Sequence, residues 1–168
     1  MSSARGLALA VAALLWVGCA APEPAPRERG AGLEVHVLRL RPGTDLFAEL
    51  EQWVQQRGAA AVVVLTACGS LEHTVLRLAD QPQGTEFAGR RELVSLVGTL
   101  SATGGSHLHL AVSDATGATL GGHLLRGCRV YTTVELALGV LDGVEFAREV
   151  DPTYGYRELV ARRRRAAN

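Results

Sequence analysis

Three of the five histidines of this chain, His107, His109 and His123, lie close together in a short segment. Residues 107–113 alternate between polar or small side chains and apolar ones, which is the period-two pattern of a half-buried strand. A turn segment with Asp114 and Gly117 follows, and a second apolar stretch returns from it. Imidazole nitrogens are ligands of zinc and other late first-row metals, so this predicted hairpin indicates metal chemistry.

The length of the hairpin loop decides whether the three imidazoles converge. If residues 115–117 form a three-residue loop, His109 lies directly opposite His123, with Cβ atoms about 5 Å apart. His107 then lies about 7 Å away along the same face. A loop of two or four residues, or a bulge at Gly121-Gly122, would change this register. The sequence predicts a divalent metal site, with zinc as the expected ion; the alternative is polar residues on a solvated sheet face.

The elements that must position this hairpin can be inferred from the flanking sequence. A helix is predicted to begin at Thr44 or Asp45 and to end near Gln56, with its apolar residues at helical spacing and Gly58 after it. One helix and about eight strands predict an α+β domain with a sandwich-like arrangement. Strands are predicted at residues 34–40, 60–66, 72–79, 92–101, 107–113, 120–125, 129–141 and 144–150, with a turn at Gly69-Ser70 and with residues 60–66 buried on both faces.

An ordered set of short motifs resembles the PPC domain, the plant- and prokaryote-conserved domain that in plants follows AT-hook DNA-binding segments. The resemblance covers residues 33–160. The motifs that carry it are Arg39-Leu40-Arg41-Pro42-Gly43, Gly69-Ser70-Leu71, Gly98-Thr99-Leu100-Ser101, His107-Leu108-His109, Gly121-Gly122-His123-Leu124, Thr132-Thr133-Val134-Glu135, Phe146-Ala147-Arg148-Glu149 and Gly155-Tyr156-Arg157-Glu158-Leu159-Val160.

This resemblance implies a single α+β domain with a mixed, mainly antiparallel sheet and one main helix, assembled as a homotrimer. It also implies that the three histidines form a metal site. Glu135 matches a Thr-Glu pair of the family and could orient a histidine ligand or act as a base; the alternative is an ion pair with a neighbouring arginine. The chain has no Arg-Gly-Arg-Pro AT-hook core, and Arg91 replaces an aromatic residue of the plant partner-binding segment.

The N-terminal segment is typical of an export signal. Arg5 precedes an unbroken apolar run at residues 7–17, which is too short for a transmembrane helix. Val17-Gly18-Cys19 resembles the end of a bacterial lipobox, which predicts a signal peptide at residues 1–18 and lipidation at Cys19; the alternatives are simple cleavage near Ala20 or an uncleaved anchor. Residues 19–32 are predicted to be a flexible tether. We therefore expect an exported, lipid-anchored protein of the bacterial cell envelope.

Composition excludes several function classes. The formal net charge is zero, which argues against electrostatic binding of nucleic acid. No lysine is present, which excludes Schiff-base chemistry and a P-loop. Cys68 and Cys128 are interpreted as buried free thiols, with a disulfide as the alternative. His36 and His73 are interpreted as structural. Residues 161–168 are predicted to be a disordered basic tail, with contact to lipid headgroups or nucleic acid as the alternative.

The sequence supports three functional hypotheses. The first is an exported binding module, trimeric by resemblance, that holds a divalent metal or small ligand at the histidines. The second is a metal-dependent enzyme that uses a metal-bound water. The third, DNA binding by analogy with the plant proteins, conflicts with the leader, the zero net charge and the missing AT-hook core. No specific binding of nucleic acid is expected, and no substrate can be named.

Overall fold

The structure, a computed structural model, describes residues 32–164, which form one helix and eight strands. The predicted signal peptide, the predicted lipidation site Cys19 and nearly all of the predicted tether lie outside the described residues. The elements are β1 Leu33–Leu40, α1 Leu46–Arg57, β2 Val62–Arg77, β3 Gly84–Ser101, β4 Gly105–Ser113, β5 Thr119–Leu124, β6 Arg129–Leu141, β7 Val144–Val150 and β8 Arg157–Arg163.

Six strands form one sheet in the order β1-β6-β2-β3-β4-β5, and β7 pairs with β8 in a separate ribbon. All strand pairs among the described residues are antiparallel. The sheet curls so that β5 also pairs with the end of β2, where Arg77 lies opposite His123. The predicted mainly antiparallel sheet with one helix is confirmed, but one curled sheet takes the place of the sandwich-like arrangement.

The core lies between the concave side of this sheet and α1. The helix buries Leu46, Leu50, Trp53 and Val54, which lie three or four residues apart on one face. Asp45 caps its first turn by accepting a hydrogen bond from the backbone N–H of Ala48 at 2.9 Å. The predicted helix is therefore confirmed, including its start and its end before Gly58. No helix among residues 32–164 is long and apolar enough to cross a membrane.

The predicted turn at Gly69-Ser70 is wrong, because β2 continues through it as a strand. Gly69 has a φ of +141°, and a Cβ atom built on it would lie 2.1 Å from the carbonyl oxygen of Thr133. Because Gly69 has no side chain, β2 can approach β6 closely at this position, and the chain does not reverse direction there. Residues 60–66 are also predicted to be buried on both faces, but Leu65 is 46% exposed, since nothing among residues 32–164 covers it on the convex side of the sheet.

The C-terminal end of the domain differs from the prediction as well. The sequence predicts no strand after residues 144–150. In the structure a further strand, β8, pairs with β7 as far as Arg163, which lies opposite Val144. The predicted start of the disordered tail at residue 161 is wrong, because residues 161–163 belong to β8. Residues 165–168 lie outside the described part of the chain.

Gly98 allows β3 to approach the histidine strand. Its φ is +136°, and a Cβ atom there would lie 2.0 Å from the carbonyl oxygen of His107 on β4. A contact below 3 Å with backbone cannot be relieved by a change of rotamer. A side chain at this position would therefore push β3 and β4 apart where they carry the histidines.

We expect Gly98→Ala to lower the free energy of unfolding by about 3 kcal/mol or more, because it combines an unfavourable φ with a backbone clash. Gly89→Ala is the matched control: its φ is +97°, but nothing lies within 4 Å of the added Cβ atom. That control should lose only about 1 to 2 kcal/mol. Denaturant unfolding measures both, and an equal loss in the two variants would contradict the close approach.

Candidate metal centre

The hairpin of β4 and β5 brings His109 and His123 together in the register predicted from the loop length. The two residues lie directly opposite each other. The backbone N–H of Asp114 donates to the carbonyl oxygen of Ala118 at 3.0 Å, which closes a three-residue loop. The Asp114 side chain stabilises this loop further, since its Oδ1 accepts hydrogen bonds from the backbone N–H and the hydroxyl of Thr116 at 2.9 and 2.6 Å.

The three imidazole rings converge on one point. One nitrogen from each of His107, His109 and His123 lies within 4.8 Å of the other two. The Nε2 atoms of His107 and His109 are 3.1 Å apart. Two nitrogens bound to one tetrahedral zinc ion at about 2.05 Å are separated by about 3.3 Å, so this spacing is close to that of a metal site. The rotamers close the gap that strand spacing alone would leave between His107 and His123.

One polar atom in this cluster has no partner within the described chain. Nδ1 of His123 is buried and forms no hydrogen bond with residues 32–164. A buried imidazole nitrogen without a hydrogen bond is costly unless an ion or another ligand meets it. His107 and His123 are half-buried, whereas His109 is exposed. The cluster therefore has the donor types, spacing and unmet bonding capacity that suit a divalent ion with an open coordination position.

The surroundings of the cluster keep two of its rings uncharged. Burial, followed by the positive charge of Arg77, lowers the pKa of His123 to about 4. Burial and then Arg148 lower the pKa of His107 below its ordinary value of 6.5. A neutral imidazole is the form that binds a metal ion. These rings are therefore ready to act as ligands at neutral pH.

A cavity of about 770 Å³ opens beside two of the histidines. Its wall includes His107 and His123, together with three arginines from different strands: Arg77 of β2, Arg148 of β7 and Arg157 of β8. Sequence reasoning missed these arginines as parts of the site. The pairing of β2 with β5 brings Arg77 there, and no local pattern in the sequence reports that pairing.

Glu135 does not join the cluster within one chain. It is exposed on β6, and strands β2 and β3 lie between β6 and the histidine strand β4. The expectation that Glu135 orients a histidine ligand is therefore wrong within the chain. Its neighbours across the sheet are Arg39 and Cys68, which is compatible with the alternative of an arginine neighbour.

The other two histidines lie apart from the cluster, in agreement with a structural interpretation. The His36 ring packs edge-on against Trp53, with centroids 5.2 Å apart. His73 lies 3.4 Å from a carboxylate oxygen of Glu86. Both cysteines are free thiols, but only Cys128 is buried as expected, while Cys68 is exposed because it faces the uncovered convex side of the sheet.

Comparison with known proteins shows the family and the fold to which this chain is similar. The sequence model of the Plants and Prokaryotes Conserved (PCC) domain matches residues 27–142. The bifunctional protein GlmU of Synechococcus sp. (strain JA-3-3Ab) is 47% identical over 140 residues, which are 83% of this chain and 22% of GlmU. The chain thus spans little more than a fifth of the length of this protein and of the GlmU protein of a second Synechococcus strain.

Solved structures show the same fold. A hypothetical protein from Salmonella cholerae-suis is 42% identical, with a TM-score of 0.79, over 81% of this chain and 98% of that one. A protein from Archaeoglobus fulgidus, described as metal-containing, is 26% identical, with a TM-score of 0.68, over 79% of this chain and 96% of that one. The likeness extends over nearly the full length of both structures.

We expect acid to destabilise the metal-free protein between about pH 6.5 and about pH 4. In the unfolded chain His123 takes up a proton near its ordinary pKa of 6.5, whereas in the fold its pKa is lowered to about 4. The unfolded state therefore binds more protons in this window, and the free energy of unfolding falls as the pH falls through it. Denaturant unfolding in the presence of a chelator measures this loss. His123→Gln should reduce it, and an unchanged pH dependence in that variant would contradict the assignment.

Proposed function

The chain belongs to the Plants and Prokaryotes Conserved domain family, and on this premise we propose that it is a binding module for one divalent metal ion. The convergence of His107, His109 and His123 carries the proposal. Three imidazole ligands suit zinc and leave one coordination position open. That a related protein from Archaeoglobus fulgidus is described as metal-containing adds support.

The chain's own residues would prepare this site before an ion arrives. The hairpin holds two ligands on β4 and one on β5, so that little backbone order has to be gained on binding. Burial lowers the pKa of His107 and of His123, which limits competition by protons. When bound, the ion would supply a Lewis-acidic position that a small ligand can occupy.

The test is the metal content of His123→Ala. We expect the wild-type protein to bind one zinc ion per chain at neutral pH and His123→Ala to lose most of it, because the variant removes one of three ligands. His73→Ala is the matched control, since His73 lies on β2 beside Glu86 and outside the cluster. Mass spectrometry of dialysed protein measures the zinc, and circular dichroism checks the fold. Equal zinc in wild type and His123→Ala, or none in wild type, would refute the site.

A metal-dependent enzyme is the second candidate function. The cavity beside His107 and His123 favours it, because a ligand or water on the open position of the ion would face this space. DNA binding is not proposed: the formal net charge is zero and the sequence has no AT-hook core.

We further propose that the chain assembles as a homotrimer through the convex side of the sheet. This side carries apolar residues that nothing covers among residues 32–164: Val37 is 81% exposed, Val35 52% and Val97 55%. Side chains of Leu33, Val63 and Leu65 surround Gly139 on the same side. Val97 pairs with His109, so this surface reaches the metal site. Contiguous exposed apolar surface of this kind is typical of an interface between subunits.

We expect light scattering to give three times the chain mass for the wild-type protein. Val37→Glu should give smaller species, because a carboxylate would be buried without a partner in the interface. Val150→Glu is the control: Val150 is 60% exposed as well, but it lies on the β7-β8 ribbon. A monomeric wild-type protein at micromolar concentration would contradict the trimer.

The apolar run and Val17-Gly18-Cys19 support a third proposal, that the protein is exported and lipid-anchored in the bacterial cell envelope. We expect the wild-type protein in the membrane fraction. Cys19→Ala should either be cleaved and appear in the soluble fraction, or remain in the membrane as an uncleaved precursor of higher mass. Fractionation and mass spectrometry of both proteins distinguish these results. Equal release of the two from the membrane would contradict lipidation at Cys19.

A further inference from the structure

The cavity beside the histidines has a positively charged wall. Arg77, Arg148 and Arg157 all line it. None of the three forms an ion pair with a carboxylate in the described range 32–164, although three other arginines, Arg91, Arg126 and Arg162, do. Guanidinium groups left without a carboxylate beside a cavity are available to bind an anion.

Two of these arginines are held at the site by contacts with the strands that carry it. Arg77 lies directly opposite His123 where β2 pairs with β5. Arg148 donates from Nη2 to the Thr99 hydroxyl at 3.3 Å, and Thr99 lies opposite His107 where β3 pairs with β4. Arg77 therefore lies next to His123, and Arg148 lies next to His107.

The third arginine joins the other two from the β7-β8 ribbon. Arg157 donates from Nη2 to the backbone carbonyl of Arg148 at 2.7 Å, which ties the two residues together across the ribbon. This bond uses one nitrogen of a guanidinium group that carries five N–H donors, so donors remain for a ligand. Three guanidinium groups from three different strands thus line the same cavity.

The charges on the cavity wall favour an anion. Three arginines face two acidic residues, Asp80 and Glu158, so the arginine and carboxylate side chains of the wall have a net charge of +1. A divalent ion on the histidines would raise this to about +3. The volume of about 770 Å³ lies in the range of small-molecule sites.

We propose that this cavity binds the oxyanion group, phosphate or carboxylate, of a small molecule between Arg77, Arg148 and Arg157, next to the open position of the metal ion. The arginines would orient the anion through charge-assisted hydrogen bonds, and the ion would meet another donor atom of the same molecule. The proposal names the ligand class of the proposed metal module and rests on it for the role of the ion. The contacts between the arginines and the anion depend only on the cavity wall and do not require the metal ion.

The test is calorimetric titration of the full chain, zinc-loaded and zinc-free, with inorganic phosphate and separately with malonate. Arg77→Met and Arg148→Met each remove one cation from the wall. Arg41→Met is the matched control, since Arg41 is exposed in the segment after β1 and does not line the cavity. Because Arg148 also contacts Thr99, the exposed Arg77 provides a variant with no such contact to lose. Zinc content is measured for every variant.

We expect at least one of the two anions to bind, and its affinity to fall at least roughly tenfold in both cavity variants, as loss of a hydrogen bond to a charged group predicts. The zinc content and the Arg41→Met affinity should not change. Preference for phosphate or for malonate would identify the oxyanion.

Three results would overturn the proposal: equal anion affinity in all proteins, an equal loss of anion affinity in Arg41→Met, or zinc-loaded protein that binds neither anion. Anion binding that depends on Arg77 and Arg148 in a protein that takes up no zinc would support the oxyanion cavity and refute the metal module. The two failures are therefore distinguishable.

Discussion

The register between β4 and β5 is the constraint on which the candidate site depends. A slip of one residue would turn His123 to the opposite face of the sheet, because side chains alternate along a strand. The three-residue loop after Asp114 holds the register at one end of the hairpin. At the other end, the pairing of His123 with Arg77 joins β5 to β2 and closes the curled sheet. Turn chemistry and sheet closure thus favour the same register.

This closure also shapes the electrostatics of the site. Curling brings strands β2 and β5 together, and the β7-β8 ribbon contributes Arg148 and Arg157 to the same cavity. The resulting positive field and the partial burial both favour uncharged imidazoles, as the lowered pKa of His123 shows. Imidazole ligands beside guanidinium groups that form no ion pair among residues 32–164 suit a cation on the histidines together with an anion on the arginines. The two proposed ligands would therefore stabilise each other by charge.

The uncovered convex side of the sheet links the site to assembly. The helix covers only the concave side, so apolar residues of β1, β2 and β3 remain exposed on the other. Val97 lies in this surface and pairs with His109. Contact with other subunits across it would bury apolar area and change the solvent access of the exposed imidazole. Assembly and ligand binding are thus expected to influence each other at this edge.

The sequence alone determined the helix of this protein from its spacing and caps. It predicted the facing pair His109 and His123 only on the condition of a three-residue loop, which the structure has. Only the tertiary structure decided that Gly69 lies within a strand, that Cys68 is exposed and that Glu135 lies apart from the histidines. It also decided that Arg77 and Arg148 belong to the site. The physical reason is the distance along the chain over which each effect acts. Periodicity and turn propensity act over a few residues. Strand order and sheet closure bring together residues that are far apart in the chain, and no local pattern predicts which ones.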